Sequence, residues 1–156
     1  IKGLDGVAPV QVIWQTGKYY EKEMQEFLKS HPTKNIWQGA FIERMDYAYA
    51  AANVVLSRSG ACTVSELCLV AKPTIFVPSP NVSEDHQTKN AMALVEKGAA
   101  EIVRDNEAVA KGMKEAVALA LDEERLEMLS ANIAQLAISD SAARVVEVID
   151  EELKRG

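Results

Sequence analysis

The sequence predicts an α/β fold built on a mostly parallel sheet. Short runs of β-branched and aromatic residues alternate with longer stretches that have helical periodicity. This alternation is typical of βαβ units. The run TIFV at 74–77 is apolar without interruption, which is expected for a strand buried on both faces. Ligands in such sheets bind beyond the carboxyl ends of the strands.

The first half of the chain is predicted to hold three strand–helix pairs. Strands are expected at 10–15, 35–38 and 54–57, and helices at 19–30, 45–52 and 63–70. In the first helix, Met24, Phe27 and Leu28 have helical spacing, and the dipeptide HP at 31–32 ends it. The segment AKP at 71–73 ends the third helix.

The second half adds two strands and becomes helical towards its end. After the strand at 74–77 we expect a loop at 78–85, a helix at 86–97 that Gly98 ends, and a strand at 101–103. Helices are then expected at 106–121, 122–137 and 141–154, with residues 122–156 forming a helical tail. Ser141 is the predicted N-cap of the last helix. Two apolar faces are predicted, one from Val109, Met113, Val117 and Leu121, the other from Val145, Ile149 and Leu153.

Length, composition and charge exclude several classes of protein. A chain of 156 residues with 48% apolar residues fits one domain of a larger protein, and the first residue, Ile1, suggests a start inside a longer reading frame. The net charge of −6 lies mainly after residue 103, and no basic stripe indicates nucleic-acid binding. No apolar stretch is long enough to span a bilayer. Cys62 and Cys68 would lie about 9 Å apart on one helix, which predicts free thiols, a reducing compartment and no zinc site.

The segment SRSGACTVSE at 57–66 is the most informative motif. A buried strand enters a turn of small residues and a helix follows, so that unbonded N–H groups and the helix dipole form an anion site. Gly60 and Ala61 leave room for a phosphate, and Glu66, one turn further on, can accept hydrogen bonds from a sugar diol. Spacing alone favours a capped helix, with Ser59 or Thr63 as N-cap and Glu66 completing a capping box with Thr63, because strand–turn–helix junctions are common in α/β domains.

A second motif, DHQTKN at 85–90, places polar side chains at the start of a helix. Gln87 carries both a donor and an acceptor, which suits sugar hydroxyls, and Asn90 lies one turn further on the same face. The alternative is a solvated first turn with Asp85 as N-cap and a structural His86. The sequence contains no G-x-G-x-x-G, no G-x-x-x-x-G-K-[ST], no D-x-D pair and no G-x-S-x-G, so we expect neither a metal nor a cofactor.

The run from Ser57 to Ala100 closely resembles the C-terminal domain of the MurG family, and the run WQGAFIERMDYAYAAANVVLSRSG upstream is similar to it as well. The blocks SGA-x-TVSE and DHQ-x-x-NA occur in the family's order and separation. Members of this family move N-acetylglucosamine (GlcNAc) from UDP-GlcNAc onto lipid I, the undecaprenyl-pyrophosphoryl-MurNAc-pentapeptide, to form lipid II. The resemblance implies a GT-B glycosyltransferase of two Rossmann-like domains, with residues 1–156 as the C-terminal, donor-binding one.

The resemblance also implies a set of donor-binding residues. The backbone of Ile42 would meet the uracil edge, and Glu66 would accept both ribose hydroxyls. Arg58 stands at a matching position without an assigned contact. The diphosphate would lie at the start of the helix, and the GlcNAc hydroxyls against the second motif. The full expected set is Ile42, Ala61, Cys62, Thr63, Val64, Ser65, Glu66, His86, Gln87 and Asn90.

The remaining parts of the family's machinery would lie outside this chain. The N-terminal domain, with the first glycine-rich loop, the catalytic base and the membrane-facing patch, is not in this sequence, and nothing in it matches the second glycine-rich loop. We therefore expect the chain alone to bind donor weakly and to transfer no sugar, and the full enzyme to be peripheral on the cytoplasmic face of the bacterial membrane. Three alternatives stay open: a UDP-GlcNAc 2-epimerase-like enzyme, a stand-alone donor-binding subunit with a membrane partner, and a ligand-free α/β domain.

Overall fold

The computed structural model describes residues 10–81 and 85–155. By its internal contacts the chain divides after Ala52 into two compact units. In the described residues both units alternate strands with helices, and every strand pairing is parallel. The predicted α/β class with parallel pairing is therefore confirmed, although the strands form two sheets rather than one.

The first unit contains strand β1 (Val12–Gln15), helix α1 (Gly17–Ser30), strand β2 (Ile36–Gly39) and helix α2 (Met45–Ala51). The two strands pair in parallel, with Val12 opposite Ile36. Gly17 adopts φ +72°, a left-handed conformation that costs glycine little and allows the sharp turn from β1 into α1.

The second unit is built on a three-stranded parallel sheet in the order β3 (Val55–Ser57), β4 (Thr74–Phe76) and β5 (Glu101–Ile102). Strand β4 lies in the centre, and all three of its residues have no exposed surface. This confirms the prediction from its uninterrupted apolar run, because a central strand covered on both faces has no solvent side for polar residues.

Helices connect and cover these strands. They are α3 (Ala61–Leu69), α4 (His86–Val95), α5 (Asp105–Glu107), α6 (Met113–Ala120), α7 (Glu123–Ala134) and α8 (Ser141–Arg155). The core that holds α6 and α7 against the sheet contains Ile75, Val77, Val103, Leu119 and Leu129. No helix among residues 10–81 and 85–155 is both long enough and apolar enough to cross a membrane.

One predicted apolar stripe is wrong. A π-helical turn (Ala108–Gly112) lies between α5 and α6 where one continuous helix was expected. A π turn holds one residue more than an α turn, which rotates the following side chains by about 100°. Val109 and Val117 therefore do not share a face. Val109 is fully exposed and Leu121 largely so, whereas Val117 and Leu119 are buried.

The predictions for helix ends are confirmed in part. Gly98 adopts φ +62° and its N–H donates to the carbonyl of Val95 at 2.9 Å, as expected for the glycine that ends α4. Ser141 is the first residue of α8 rather than its N-cap, because the N–H of Arg144 donates to the carbonyl of Asp140. The predicted face of Val145, Ile149 and Leu153 is more than half exposed at each position.

Candidate functional site

The residues of the two motifs, at 57–66 and 85–90, follow the carboxyl edge of the β3–β4–β5 sheet in the second unit. The strands are parallel, so the segments that leave β3 and β4 emerge at the same edge. The N–H of Val77 donates to the carbonyl of Ser57 at 2.8 Å, which keeps the two segments side by side beyond the regular strands. Helix α3 begins directly after the first segment, and α4 begins after the second.

The start of α3 has the properties of an anion-binding site. Gly60 is the N-cap, in an extended conformation with φ −62° and ψ 148°, and it contributes no side-chain cap. The N–H of Val64 donates to the carbonyl of Gly60 at 2.9 Å, the first bond of the helical ladder. The N–H groups of Ala61, Cys62 and Thr63 precede that ladder, and they are the donors that a helix leaves for a ligand.

The surroundings of this turn are open. A Cβ built on Gly60 would meet no atom of residues 10–81 or 85–155 within 4 Å. Ala61, Cys62, Ser65 and Glu66 are exposed. Thr63 and Val64 are half-buried. A negatively charged group can therefore approach the helix start from solvent, where the dipole favours it.

The alternative of a helix capped by Ser59 or Thr63 is wrong. Helix α3 starts at Ala61, so Thr63 lies inside its first turn. Ser59 has no exposed surface, and its Oγ donates to the main-chain carbonyl of Gln87 at 2.8 Å. The hydroxyl is thus committed to α4, and the capping box that was considered does not form.

Helix α4 is joined to the same turn through its side chains. The Oε1 atom of Gln87 accepts the N–H of Ser79 at 2.9 Å and the N–H of Ser59 at 3.4 Å. The Nδ2 group of Asn90 donates to the carbonyl of Ser59 at 3.0 Å. Sequence reasoning singled out Gln87 and Asn90 but missed Ser79 and this use of Ser59, because nothing in the spacing reveals contacts between residues 28 and 31 positions apart.

The beginning of α4 differs from its predicted form. Asp85 is the N-cap by position, but it adopts φ 55° and makes no side-chain capping bond. His86, the first helical residue, is exposed. Residues 82–84 of the predicted loop at 78–85 lie outside the described part of the chain.

Ile42 belongs to the first unit. Its N–H donates to Oε1 of Gln15 at 3.0 Å, at the end of β1. A base edge that meets the Ile42 backbone without displacing Gln15 would therefore contact the carbonyl side. The other expected donor-binding residues, at 61–66 and 86–90, belong to the second unit, where the hydrogen bonds of Ser59 bring the two segments together.

Two further features bear on the charge and reactivity of this edge. The guanidinium of Arg58 donates to the carbonyl of Val77 at 3.0 Å and to the carboxylate of Asp105, so its charge is paired. Both cysteines are free thiols, as predicted. Burial raises the pKa of Cys68, whereas Cys62 is exposed in the first turn of α3. The described residues contain no group of three or more metal-ligating side chains.

Comparison with known proteins places the chain in a family. The model of the glycosyltransferase family 28 C-terminal domain matches residues 3–145. A Parabacteroides distasonis protein named UDP-N-acetylglucosamine–N-acetylmuramyl-(pentapeptide) pyrophosphoryl-undecaprenol N-acetylglucosamine transferase is 52% identical over 90% of this chain. A Porphyromonas gingivalis protein of the same name is 49% identical over 90% of it. The chain spans 38% and 37% of the length of these two relatives.

Solved structures agree with this assignment. MurG of Acinetobacter baumannii superposes with a TM-score of 0.81 at 27% identity, over 96% of this chain and 46% of that one. A calicheamicin glycosyltransferase superposes with a TM-score of 0.69 at 20% identity, over 93% of this chain and 36% of that one, which supports the fold alone. The resemblance to the MurG family and the Rossmann-like, GT-B fold class are therefore confirmed. The chain belongs to glycosyltransferase family 28, and it corresponds to the C-terminal domain of that family.

Proposed function

We propose that this chain is the donor-binding domain of an inverting glycosyltransferase that moves GlcNAc from UDP-GlcNAc to lipid I, forming lipid II for peptidoglycan. The observation that carries the proposal is the identity of 52% over 90% of the chain with a transferase named for that reaction. The acceptor lipid and the catalytic base would be held by the N-terminal domain of the full-length enzyme. This chain would hold the donor.

The start of α3 suits the UDP diphosphate. N–H groups that precede the first helical hydrogen bond, at an N-cap without a side chain, favour a negatively charged group. During transfer the acceptor hydroxyl, deprotonated by a base, attacks the anomeric carbon and UDP leaves. Negative charge grows on the diphosphate as that bond breaks. Fixed N–H donors stabilise this growing charge, and they therefore lower the barrier.

The remaining donor groups are assigned to side chains around this turn. Glu66 would accept the ribose hydroxyls, since it is exposed one helical turn after the phosphate-binding residues. Gln87, Asn90 and His86, at the start of α4, would meet the GlcNAc hydroxyls. The backbone of Ile42 would meet the uracil.

The location that accompanies this function is the cytoplasmic face of the bacterial membrane, where lipid I is presented. We propose a peripheral attachment made mainly by the N-terminal domain. A UDP-GlcNAc 2-epimerase would share the donor but need no lipid acceptor. The family match and the names of the relatives favour the transferase.

The proposal is tested with the full-length protein and UDP-GlcNAc labelled in the sugar. We expect label to pass to lipid I with inversion at the anomeric carbon, and no transfer by residues 1–156 alone. Release of UDP-ManNAc in the absence of lipid I would instead identify an epimerase. Labelled lipid II formed by the isolated chain would contradict the division of roles between the domains.

A further inference from the structure

Ser59 is the centre of a three-bond junction between the α3 turn and helix α4. Its Oγ donates to the carbonyl of Gln87 at 2.8 Å, its N–H donates to Oε1 of Gln87 at 3.4 Å, and its carbonyl accepts from Nδ2 of Asn90 at 3.0 Å. Ser59 has no exposed surface, so these bonds are shielded from competing water.

The junction fixes which end of the Gln87 carboxamide is bonded to the protein. Two main-chain N–H groups, those of Ser59 and Ser79, donate to one atom of Gln87. A carboxamide NH2 cannot accept a hydrogen bond, so that atom must be the oxygen. The Nε2 group, which has no hydrogen-bond partner among the described residues, is the end left for a ligand.

Asn90 is held with the opposite polarity. The carbonyl of Ser59 can only accept, so the Asn90 atom that faces it must be the NH2 group. The Oδ1 atom is then the end left for a ligand. Positions three apart on a helix are neighbours on its surface, so a donor from Gln87 and an acceptor from Asn90 are presented side by side.

We propose that Ser59 is a positioning residue. Its main-chain N–H and carbonyl set this polarity and its hydroxyl holds α4 in place, so that towards the sugar Gln87 acts only as a hydrogen-bond donor and Asn90 only as an acceptor. This inference rests on the proposed function. A sugar hydroxyl can accept from the first and donate to the second. A carboxylate at the position that faces the pair could not donate to Asn90, so at that position the pair selects a hydroxyl over a carboxylate.

The decisive variant is Gln87→Glu. A glutamate keeps an oxygen for the N–H groups of Ser59 and Ser79, so the turn is retained, but it replaces the ligand-facing NH2 with an acceptor. In the full-length enzyme we expect the KM for UDP-GlcNAc to rise roughly tenfold, because one hydrogen bond is lost. The inhibition constant of UDP, which lacks the sugar, should rise only a few-fold at low salt, through the added negative charge, and should approach the wild-type value at high salt.

The matched variant Gln87→Met removes both ends of the carboxamide while keeping the length of the side chain. The N–H groups of Ser59 and Ser79 then lose their acceptor, so the KM for UDP-GlcNAc and the inhibition constant of UDP should both rise. A KM that is unchanged in Gln87→Glu, or an inhibition constant of UDP that rises as much as the KM, would overturn the assigned polarity.

The role of Ser59 is tested by a double-mutant cycle. Ser59→Ala keeps the main-chain groups that set the polarity and removes only the bond from Oγ to the carbonyl of Gln87, which holds α4 against the turn. It should raise the KM for UDP-GlcNAc several-fold more than the inhibition constant of UDP, and this selective effect should shrink in the Gln87→Glu background. Equal effects in both backgrounds would show that Ser59 does not act through Gln87. If UDP-GlcNAc analogues deoxygenated at C3, C4 or C6 all bound the wild-type enzyme as tightly as UDP-GlcNAc, no sugar hydroxyl would meet the pair and the assignment would be wrong. Absence of any UDP-GlcNAc binding by the wild-type enzyme would instead refute the proposed function.

Discussion

Arg58 and Asp105 form an ion pair across the carboxyl edge of the second unit's sheet, 47 residues apart in sequence. Arg58 follows β3 and Asp105 opens α5, and the same guanidinium also donates to the carbonyl of Val77 after β4. One side chain thus links the segments that leave all three strands. It also places a paired positive charge two residues before the N-cap of α3.

Neutralising Asp105 should strengthen the binding of UDP. In Asp105→Asn, Arg58 loses its carboxylate partner. Its positive charge, two residues before the N-cap of α3, then becomes available to the diphosphate. We expect the affinity for UDP to rise a few-fold at low salt, and the gain to fade at high salt as screening increases. Calorimetric titration of the full-length enzyme measures this effect. The control Glu107→Gln removes a charge that is paired with Lys111 instead. An equal gain in both variants would show that net charge, not Arg58, is responsible.

Filling the space at Gly60 should block the diphosphate without unfolding the domain. The backbone angles of Gly60 are accessible to any residue, and an added Cβ meets no atom within 4 Å in the part of the chain that the structure describes. We expect Gly60→Val to lower UDP affinity at least tenfold. The free energy of unfolding should change by about 1 kcal/mol or less, since only the N-cap is altered. The UDP affinity of Gly60→Ala should lie between those of the wild type and Gly60→Val. Wild-type affinity in the valine variant would place the phosphates elsewhere.

Glu66 should discriminate through the ribose. Wild-type enzyme is expected to bind UDP roughly tenfold more tightly than 2′-deoxy-UDP, since a hydrogen bond to a charged acceptor is worth about 1.5–3 kcal/mol. In Glu66→Ala that ratio should fall towards one, because the acceptor is gone. Competition binding of the two nucleotides measures the ratio. A ratio that survives the substitution would show that another residue contacts the ribose.

The two thiols should differ in reactivity. Cys62 is exposed, whereas Cys68 is 5% exposed and burial raises its pKa. A raised pKa lowers the fraction of reactive thiolate at a given pH, so Cys68 should alkylate far more slowly at pH 8. Mass spectrometry of the iodoacetamide-treated chain should show one fast modification. That modification should disappear in Cys62→Ser. Two fast modifications in the native chain would contradict the burial of Cys68.

The N-cap of α7 offers a test of local stability away from the site. The side chain of Asp122 accepts the N–H of Arg125 at 3.1 Å. Asp122→Ala removes this bond and should lower the free energy of unfolding by about 0.5–2 kcal/mol. Asp122→Asn keeps an acceptor at the same place and should lose less. Urea denaturation of the chain measures both. Equal losses would mean that the charge of Asp122, rather than its capping bond, matters.

Sequence patterns predicted the structure correctly where the environment of a segment follows from its own residues. The run TIFV predicted the buried central strand, since its only polar residue, Thr74, stands at its start and the other three are apolar. Gly98 predicted the end of α4, because few other residues adopt its positive φ. The order of the strands and helices was also predicted correctly, because each element is defined by the periodicity of its own residues. The family resemblance then pointed to Ala61, Glu66, Gln87 and Asn90 as parts of a donor site.

Sequence patterns gave wrong predictions in two situations: where a helix departs from regular α geometry, and where a residue's hydrogen-bond partner lies far along the chain. The spacing of residues 109–121 predicted one apolar stripe, but a π turn rotates the helix so that Val109 faces solvent. Ser59 fitted an N-cap by its type and position. Its hydroxyl is instead bonded to Gln87, because a fully buried hydroxyl needs a partner and α4 supplies one.

The sequence by itself thus determined the α/β class, the parallel pairing and the residue types available at the carboxyl edge of the sheet. The tertiary structure decided which atoms of those residues remain for a ligand. A carboxamide has a donor and an acceptor end, and only the backbone groups brought against it by folding choose between them. For Gln87 those groups are the N–H donors of Ser59 and Ser79, and for Asn90 it is the carbonyl of Ser59.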